Sequence, residues 1–295
     1  MIQHLKDWLY RYRVDHFPRI LIDKIWMREF GYTIDWNHPR DLNEKIQWLI
    51  CYGDTSLWPL LADKYRVRNY ISNKGYAHIL SKLYGIWDDA SDIDFDSLPE
   101  KFVLKCNHDS GSCHIIDKKT GFDKEKIISE LNDSLKKKFG YYHCEPHYNK
   151  ISPRIIAEEY LEQDDKSLSS SLIDYKVWCF NGKPYCIFTC RNREMNHLQV
   201  QTYDLDWKAH PEFSCFSDHF RDGGDAIPRP ACLDQLLSIC EDLSRGFPEV
   251  RADFYIINGK PIFGEFTFTS NFGRMSYFTR DFLIEMGNQV MLTQK

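Results

Sequence analysis

The string Asn-Gly-Lys-Pro occurs twice, at 181–184 and at 258–261, each time between runs rich in aromatic and β-branched residues. Asn-Gly accepts the positive φ angles of a two-residue hairpin turn, so the chain is committed to two antiparallel hairpins, Tyr175–Phe188 and Asp253–Phe266. The shared string is hairpin grammar, not an internal repeat. Between the hairpins, Leu233, Leu236, Leu237, Cys240 and Leu243 recur at helical spacing.

Upstream, Leu42, Ile46 and Leu49 predict a helix capped by Asp41 or Asn43, and a second helix is expected from about Leu61 to Ser72. Lys101–Cys106 (KFVLKC) reads as a strand that opens into the polar loop Asn107–Ser112 (NHDSGS), with a further short strand at His114–Ile116. Asp123 is placed to cap a helix reaching about Lys138, whose Ile127, Ile128, Leu131 and Leu135 share one face. Ile155–Leu161 reads as a strand and Asp164–Ser171 as a mobile polar connector. Helices and strands are therefore mixed, as in an α+β or α/β chain.

With 295 residues, 43% of them hydrophobic, the chain can bury a core in one domain or in two to three lobes. A net charge of −5 argues against general nucleic-acid binding. None of the ten cysteines forms a CxxC pair, so they read as reduced structural thiols of a cytosolic protein, and no zinc site is expected. No run reaches the roughly 20 apolar residues of a membrane span, and charges break up the first residues too often for a signal peptide. That segment does alternate aromatic and basic side chains, among them Trp8, Tyr10, Arg11, Tyr12 and Arg13. The first reading is an amphipathic helix docked on the core; the second is a helix resting on an anionic membrane surface.

Four groups of residues carry chemistry. Lys105 ends a strand that opens into Asn107, His108, Ser110, Gly111 and Ser112, where small residues let backbone N–H groups approach an anion. The bland alternative is a surface turn. Asp253 and Glu265 flank the second hairpin and are hard oxygen ligands of the kind Mg²⁺ takes. With a strict two-residue turn Asp253 opposes Gly264, and the two carboxylates face apart. A longer loop or a bulge brings them to one face. The bland alternative is two ordinary strand-end acids, or a simple ion pair of Glu265 with Arg251. Glu158, Glu159, Tyr160 and Leu161 close another strand with an apolar wall, backbone groups and acids that suit a purine and a ribose; a solvated strand end is the alternative. Lys64, Lys176, Arg191, Arg193, Arg251 and Arg274 can meet phosphates or carboxylates, though each alone is an ordinary surface charge.

In this order the pieces resemble the ATP-grasp superfamily and, within it, the TupA-like branch associated with bacterial surface-polysaccharide (teichuronopeptide-type) biosynthesis. The resemblance spans about residues 40–282 and is carried by LNEKIQWL (42–49), ADKYRVRNYI (62–71), FDSLPEKFVLKCNHDSGS (95–112), PRIIAEEYLE (153–162), IDYKVWCFNGKP (173–184) and VRADFYIINGKPIFGEFTFTSNFG (250–273). It implies an α+β fold in which two lobes grip ATP between them, with a helical N-terminal region over 1–60, a small lobe over 61–157 and a large lobe over 158–295. It implies that Lys64 and Lys105 are the nucleotide lysines, that 107–112 is the flap over the phosphates, and that Glu158 to Leu161 are the adenine hinge. A ribose acid follows at Glu162, Asp164 or Asp165. Asp253 and Glu265 become the Mg²⁺ ligands, and Arg251 and Lys176 the groups that stabilise the transferring phosphoryl. Thr267 stands where many ATP-grasp enzymes carry an Asn ligand, and Asp109 stands where a Gly is common.

The resemblance implies a ligase in which a carboxylate is activated by ATP and Mg²⁺ to an acyl phosphate and captured by an amine, work done by positioning and charge neutralisation. An amino acid and a uronic acid of a cell-surface glycan are the implied substrates, with Arg191, Arg193 and Arg274 as groups for the acceptor carboxylate. The implied location is the cytoplasm, with contact at the inner membrane face if the glycan is lipid-linked. The alternatives are an ATP-dependent sugar kinase, a non-catalytic nucleotide-binding module, and a glycosyltransferase using Asp204-Leu205-Asp206 or Asp92-Ile93-Asp94, both of which read as turns.

Overall fold

The computed structural model describes residues 2–293 and has an α+β architecture with two sheets. The chain forms two compact units: one is Leu57–Leu161, and the other joins the chain up to Ser56 with the chain from Glu162 onward.

The larger unit opens with α1 (Ile2–His16), α2 (Pro18–Phe30) and α3 (Leu42–Tyr52). The cap of α3 is Asp41, whose side chain accepts from Glu44 N at 2.9 Å, and Leu42, Ile46 and Leu49 are buried. Asn43 and Gln47 of α3 bond the backbone of Met275 and Phe272, fixing the helix to the far end of the chain. Docking on the core holds for α2, which buries Leu21, Ile22 and Trp26. It does not hold for α1, where Val14 alone is buried between His4 and His16.

The smaller unit contains α4 (Trp58–Leu61), α5 (Val67–Asn73), β1 (Leu83–Trp87), β2 (Lys101–Cys106), β3 (His114–Asp117), α6 (Lys124–Lys136), α7 (Gly140–His143) and β4 (Ile155–Glu159). The helix expected from Leu61 to Ser72 is interrupted: Asp63 accepts from Tyr65 N and Arg66 N, and this local competition for backbone donors breaks the helical ladder until Val67. The sheet has the order β1-β4-β2-β3 and is antiparallel throughout. Phe102, Leu104, Cys106, Ile155 and Ala157 form one core with Ile127 and Leu131 of α6. Strand alternation then turns Lys105 and Glu158 to the opposite face.

The remainder of the larger unit is β5 (Asp174–Phe180), β6 (Lys183–Arg191), β7 (Leu198–Tyr203), β8 (Phe220–Asp222), α8 (Leu233–Ser244), β9 (Glu249–Ile257), β10 (Lys260–Thr267) and α9 (Arg280–Gln289). Its sheet has the order β10-β9-β5-β6-β7-β8, with β7 and β8 parallel. Both predicted hairpins form, and Asn181, Gly182, Asn258 and Gly259 all have positive φ. In each, the residues flanking Asn-Gly pair directly, Phe180 with Lys183 and Ile257 with Lys260. α8 packs on β5, β6 and β9 through Leu233, Leu236, Cys240 and Leu243, with the free thiols of Cys240 and Cys179 hydrogen-bonded to each other. The other face of β5 and β9 is thereby left for polar side chains.

Candidate functional site

A β-bulge decides the geometry of the acidic pair. The β9–β10 register runs regularly from Lys260–Ile257 to Phe263–Phe254, then shifts so that Glu265, not Gly264, lies opposite Asp253. The turn is the strict two-residue one, so the extra residue at Gly264 is what brings both carboxylates to one face. Gly264 fits there closely: a Cβ would meet the Asp253 carbonyl oxygen at 3.1 Å.

Asp253 is buried and holds two cations. Arg251 Nε and Nη2 donate to its two oxygens at 2.6 and 2.7 Å, and Lys176 Nζ donates at 2.6 Å from the neighbouring strand. Burial pushes the Asp253 pKa up, but Arg251 and Lys176 outweigh it and bring it below the ordinary aspartate value. Burial opposes the charge of Lys176 in turn, yet Asp174 and Asp253 hold its pKa above the ordinary lysine value. The Arg251 guanidinium also donates to Ser270 Oγ and Thr267 Oγ1, each at 3.0 Å, and approaches Glu265 at 3.7 Å. At the other end Asp174 lies 3.6 Å from Lys176 and accepts from Arg193 Nη2 at 2.8 Å. A continuous row of alternating charges thus crosses the sheet: Arg193, Asp174, Lys176, Asp253, Arg251 and Glu265.

The smaller unit carries a simpler cluster. Glu158 is buried, forms an ion pair with Lys105, and accepts from Arg68 Nη1 at 3.1 Å. Nearby, Lys64 Nζ donates to the Asp109 carbonyl at 2.7 Å and Lys64 N to the Asn107 carbonyl at 3.1 Å, so Lys64 tethers the loop that follows β2. Much of that loop is turned inward. The Asn107 side chain donates to Asp63 and Ser152 and accepts from Arg154 N. His108 reaches the Lys137 carbonyl, and burial lowers its pKa. Asp109 is buried and accepts from Ser112 Oγ at 2.5 Å, while Ser112 Oγ accepts from Cys106 N. Its negative charge is thereby taken inside. Ser110 and Gly111, the latter with φ +98°, form the exposed tip.

The other expected residues are dispersed. Glu159 pairs with the Lys82 backbone, and Tyr160 lies under Lys101 Nζ at 3.9 Å; Leu161 follows past the end of β4. Glu162 is exposed and meets Lys166, Asp164 accepts from Asn258 N, and Asp165 caps Ser167. Arg191 binds the carbonyls of Leu168, Gly223 and Asp225, tying loops together. Arg274 is buried against Glu29 of α2 at 2.8 Å. Of the three arginines, only Arg193 joins the charged row. Asp204 accepts from Lys208 N and pairs with His210, and Asp94 accepts from Asp96 N, so both Asp-x-Asp strings shape turns. Sequence reasoning passed over Arg68 and Asp174. The signal for Asp174 was its i, i+2 spacing to Lys176 in an otherwise apolar strand; Arg68 carried none beyond its place in ADKYRVR.

Among the described residues no group of three or more His, Cys, Asp or Glu forms a metal-binding cluster. Mg²⁺ does not need one, since one or two carboxylates with phosphate oxygens suffice. Asp253 and Glu265, side by side on adjacent strands, fit that requirement.

Comparison with curated proteins finds no match. Among solved structures, D-alanine–D-alanine ligase from Bacillus anthracis complexed with ATP is 14% identical with a TM-score of 0.41, over 87% of this chain and 63% of that one. Phosphoribosylamine–glycine ligase from Thermotoga maritima is 11% identical with a TM-score of 0.42, over 72% and 48%. The chain spans less than two thirds of the length of either protein. The assignment rests instead on the family model described as TupA-like ATPgrasp, which matches residues 44–291, most of the sequence and both sheets. The chain belongs to the TupA-like ATP-grasp family.

Proposed function

We propose that the chain is an ATP- and Mg²⁺-dependent carboxylate–amine ligase that joins an amino acid to a uronic acid of a bacterial cell-surface polysaccharide. The observation that carries this reading is the bulge at Gly264, which sets Glu265 opposite Asp253 beside Arg251 and Lys176. ATP gives its γ-phosphoryl group to the carboxylate and leaves as ADP, the amine then displaces phosphate from the acyl phosphate to form the amide, and Mg²⁺ would screen the phosphate charge.

Asp253 and Glu265 would hold the metal, with the Thr267 hydroxyl beside them. With Asp253 and Glu265 engaged by a metal, Arg251 and Lys176 would give up part of their counter-charge and could stabilise negative charge on a phosphoryl group. Lys64 and Lys105 neutralise the remaining phosphates, and the exposed tip at Ser110 and Gly111 covers them together with backbone from Asn107, His108 and Ser112. Backbone of Glu158, Glu159, Tyr160 and Leu161 receives the adenine, and Glu162 the ribose. Arg193 grips the acceptor carboxylate; Arg191 and Arg274, held by protein partners, shape the surrounding loops. The glycan substrate class follows from the family's association with surface polysaccharides. A lipid-linked acceptor would bring the enzyme from the cytoplasm to the inner face of the membrane as a peripheral protein; among the described residues no helix is long and apolar enough to cross it.

The test is melting with and without ATP–Mg²⁺ on wild type, Lys105→Ala and Glu265→Gln, followed by ADP release with uronic acids and amino acids. Nucleotide at 100 times its Kd stabilises a folded protein by about 2.7 kcal/mol. The wild type is expected to shift and both variants to shift less, with ADP release dependent on the amine. No shift at millimolar ATP–Mg²⁺ sinks the reading. ADP release with a sugar and no amine converts it to a kinase.

A further inference from the structure

We infer that the outward face of α1 is a docking surface for an anionic lipid membrane. At 100° per residue, Leu5, Trp8, Leu9 and Tyr12 fall within an arc of about 100°, and they are 58%, 58%, 38% and 43% exposed. Val14, the one buried side chain between His4 and His16, lies about 180° from Leu5. From His4 to His16 α1 therefore meets the protein through Val14 alone and presents its apolar arc outward, the reverse of a helix that completes a core. The surface continues into α2 through exposed Phe17 and Ile20.

Charge favours a lipid occupant. Residues 2–30 carry six Lys and Arg against four Asp and Glu, in a chain whose net charge is −5. Two of those acids are engaged by the protein: Asp23 accepts from Trp36 Nε1 and pairs with Arg19, and Glu29 pairs with Arg274. Lys6 and Arg13 border the apolar arc on one flank and Asp15 on the other. Trp8 and Tyr12, stacked with centroids 5.4 Å apart, are amphipathic rings suited to the headgroup level, with Lys and Arg reaching the phosphates. The helix is too short and too charged to span a bilayer, so it lies along the surface.

Binding of this kind requires no turnover, so it stands or falls apart from the ligase reading. The full chain is sedimented with phosphatidylcholine vesicles with and without phosphatidylglycerol at about 0.1 M salt, where charge attraction is still felt over about 10 Å. Wild type is expected on the phosphatidylglycerol vesicles, at least tenfold more weakly on phosphatidylcholine alone. Leu5→Ser/Trp8→Ser is expected to lose at least tenfold in binding with an unchanged melting temperature, since neither side chain is buried. Equal binding of the double variant, or no binding of the wild type, overturns the inference. So does concentration-dependent dimerisation of wild type that the double variant abolishes, which would make the face a contact between copies.

Discussion

In the smaller unit two cations, Lys105 and Arg68, share one carboxylate, Glu158; in the larger unit Arg193, Lys176 and Arg251 alternate with Asp174, Asp253 and Glu265. Each sheet has given one face to an apolar core under a helix and kept the other for charge. The smaller sheet keeps positive charge in excess, which suits a polyanion. The larger sheet is neutral along its row, so it is disturbed only by a ligand that brings both signs, such as a cation with an anionic group. The difference separates a surface that attracts from a surface that exchanges partners.

The contrast is broken most directly by removing the central acid from each cluster. Asp253→Asn strands two cations that share three charge-assisted hydrogen bonds with it, and is expected to cost about 3–5 kcal/mol. Glu158→Gln weakens two ion pairs, those with Lys105 and Arg68, but both cations are partly exposed, and the expected cost is about 1–3 kcal/mol. Urea midpoints of the two variants check this; equal losses erase the distinction.

The units also differ in what they bury without a partner. In the smaller unit both ring nitrogens of His147 lack a hydrogen bond among the described residues, and burial lowers its pKa from 6.5 to about 3. In the larger unit neither carboxyl oxygen of Glu249 has a partner among those residues, and burial raises its pKa well above 4.5. The signs are opposite. The unfolded chain binds a proton at His147 that the folded chain refuses, so this stability is complete above about pH 6.5 and falls by about 1.4 kcal/mol per unit as pH drops toward 3, or about 2 kcal/mol by pH 5. The folded chain keeps a proton at Glu249 that the unfolded chain releases, so this stability is complete below about pH 4.5 and falls as pH rises through the raised value. His147→Phe is expected to flatten the acid limb of a stability–pH profile. Glu249→Gln is expected to flatten the neutral-to-alkaline limb and to stabilise by about 1–3 kcal/mol at pH 8. A profile unchanged by either variant refutes the corresponding half.

The smallest effect sharpens the larger site alone. Gly264→Ala sets a Cβ against the Asp253 carbonyl at 3.1 Å, with an expected cost of about 1 kcal/mol. Because the strain falls between the two acids, Mn²⁺ affinity measured by electron paramagnetic resonance is expected to weaken more than folding does. Full retention of metal affinity would show that the bulge tolerates a side chain.

Local chemistry was readable in the sequence and distant partnerships were not. The hairpins were legible because Asn-Gly demands positive φ whatever surrounds it, and the strand around Lys105 because KFVLKC alternates. The need for a bulge followed from counting residues across the turn. The inward loop was hidden: Asn107 and Ser112 look like surface residues until Ser152 and Arg154, some 45 positions away from Asn107, use the Asn107 side chain. Arg274 reads as an exposed base because its acid, Glu29, is on the other side of the sequence. The helix expected from Leu61 failed because spacing counts apolar residues and ignores what Asp63 does to its neighbours' N–H groups.

The β9–β10 hairpin also fixes where the chain tolerates a change of length. Pairing counts outward from Ile257 and Lys260, so residues added at the exposed Asn258-Gly259 tip leave every cross-strand partner unchanged. Loss of Gly264 itself would still leave Glu265 opposite Asp253, straightening the strand without separating the acids. A single residue gained or lost between Lys260 and Phe263 would instead throw the acid to the α8 side of the sheet. The tip is therefore a natural attachment point for an epitope or a fluorescent label, and the four residues after it are a ruler that engineering has to leave intact.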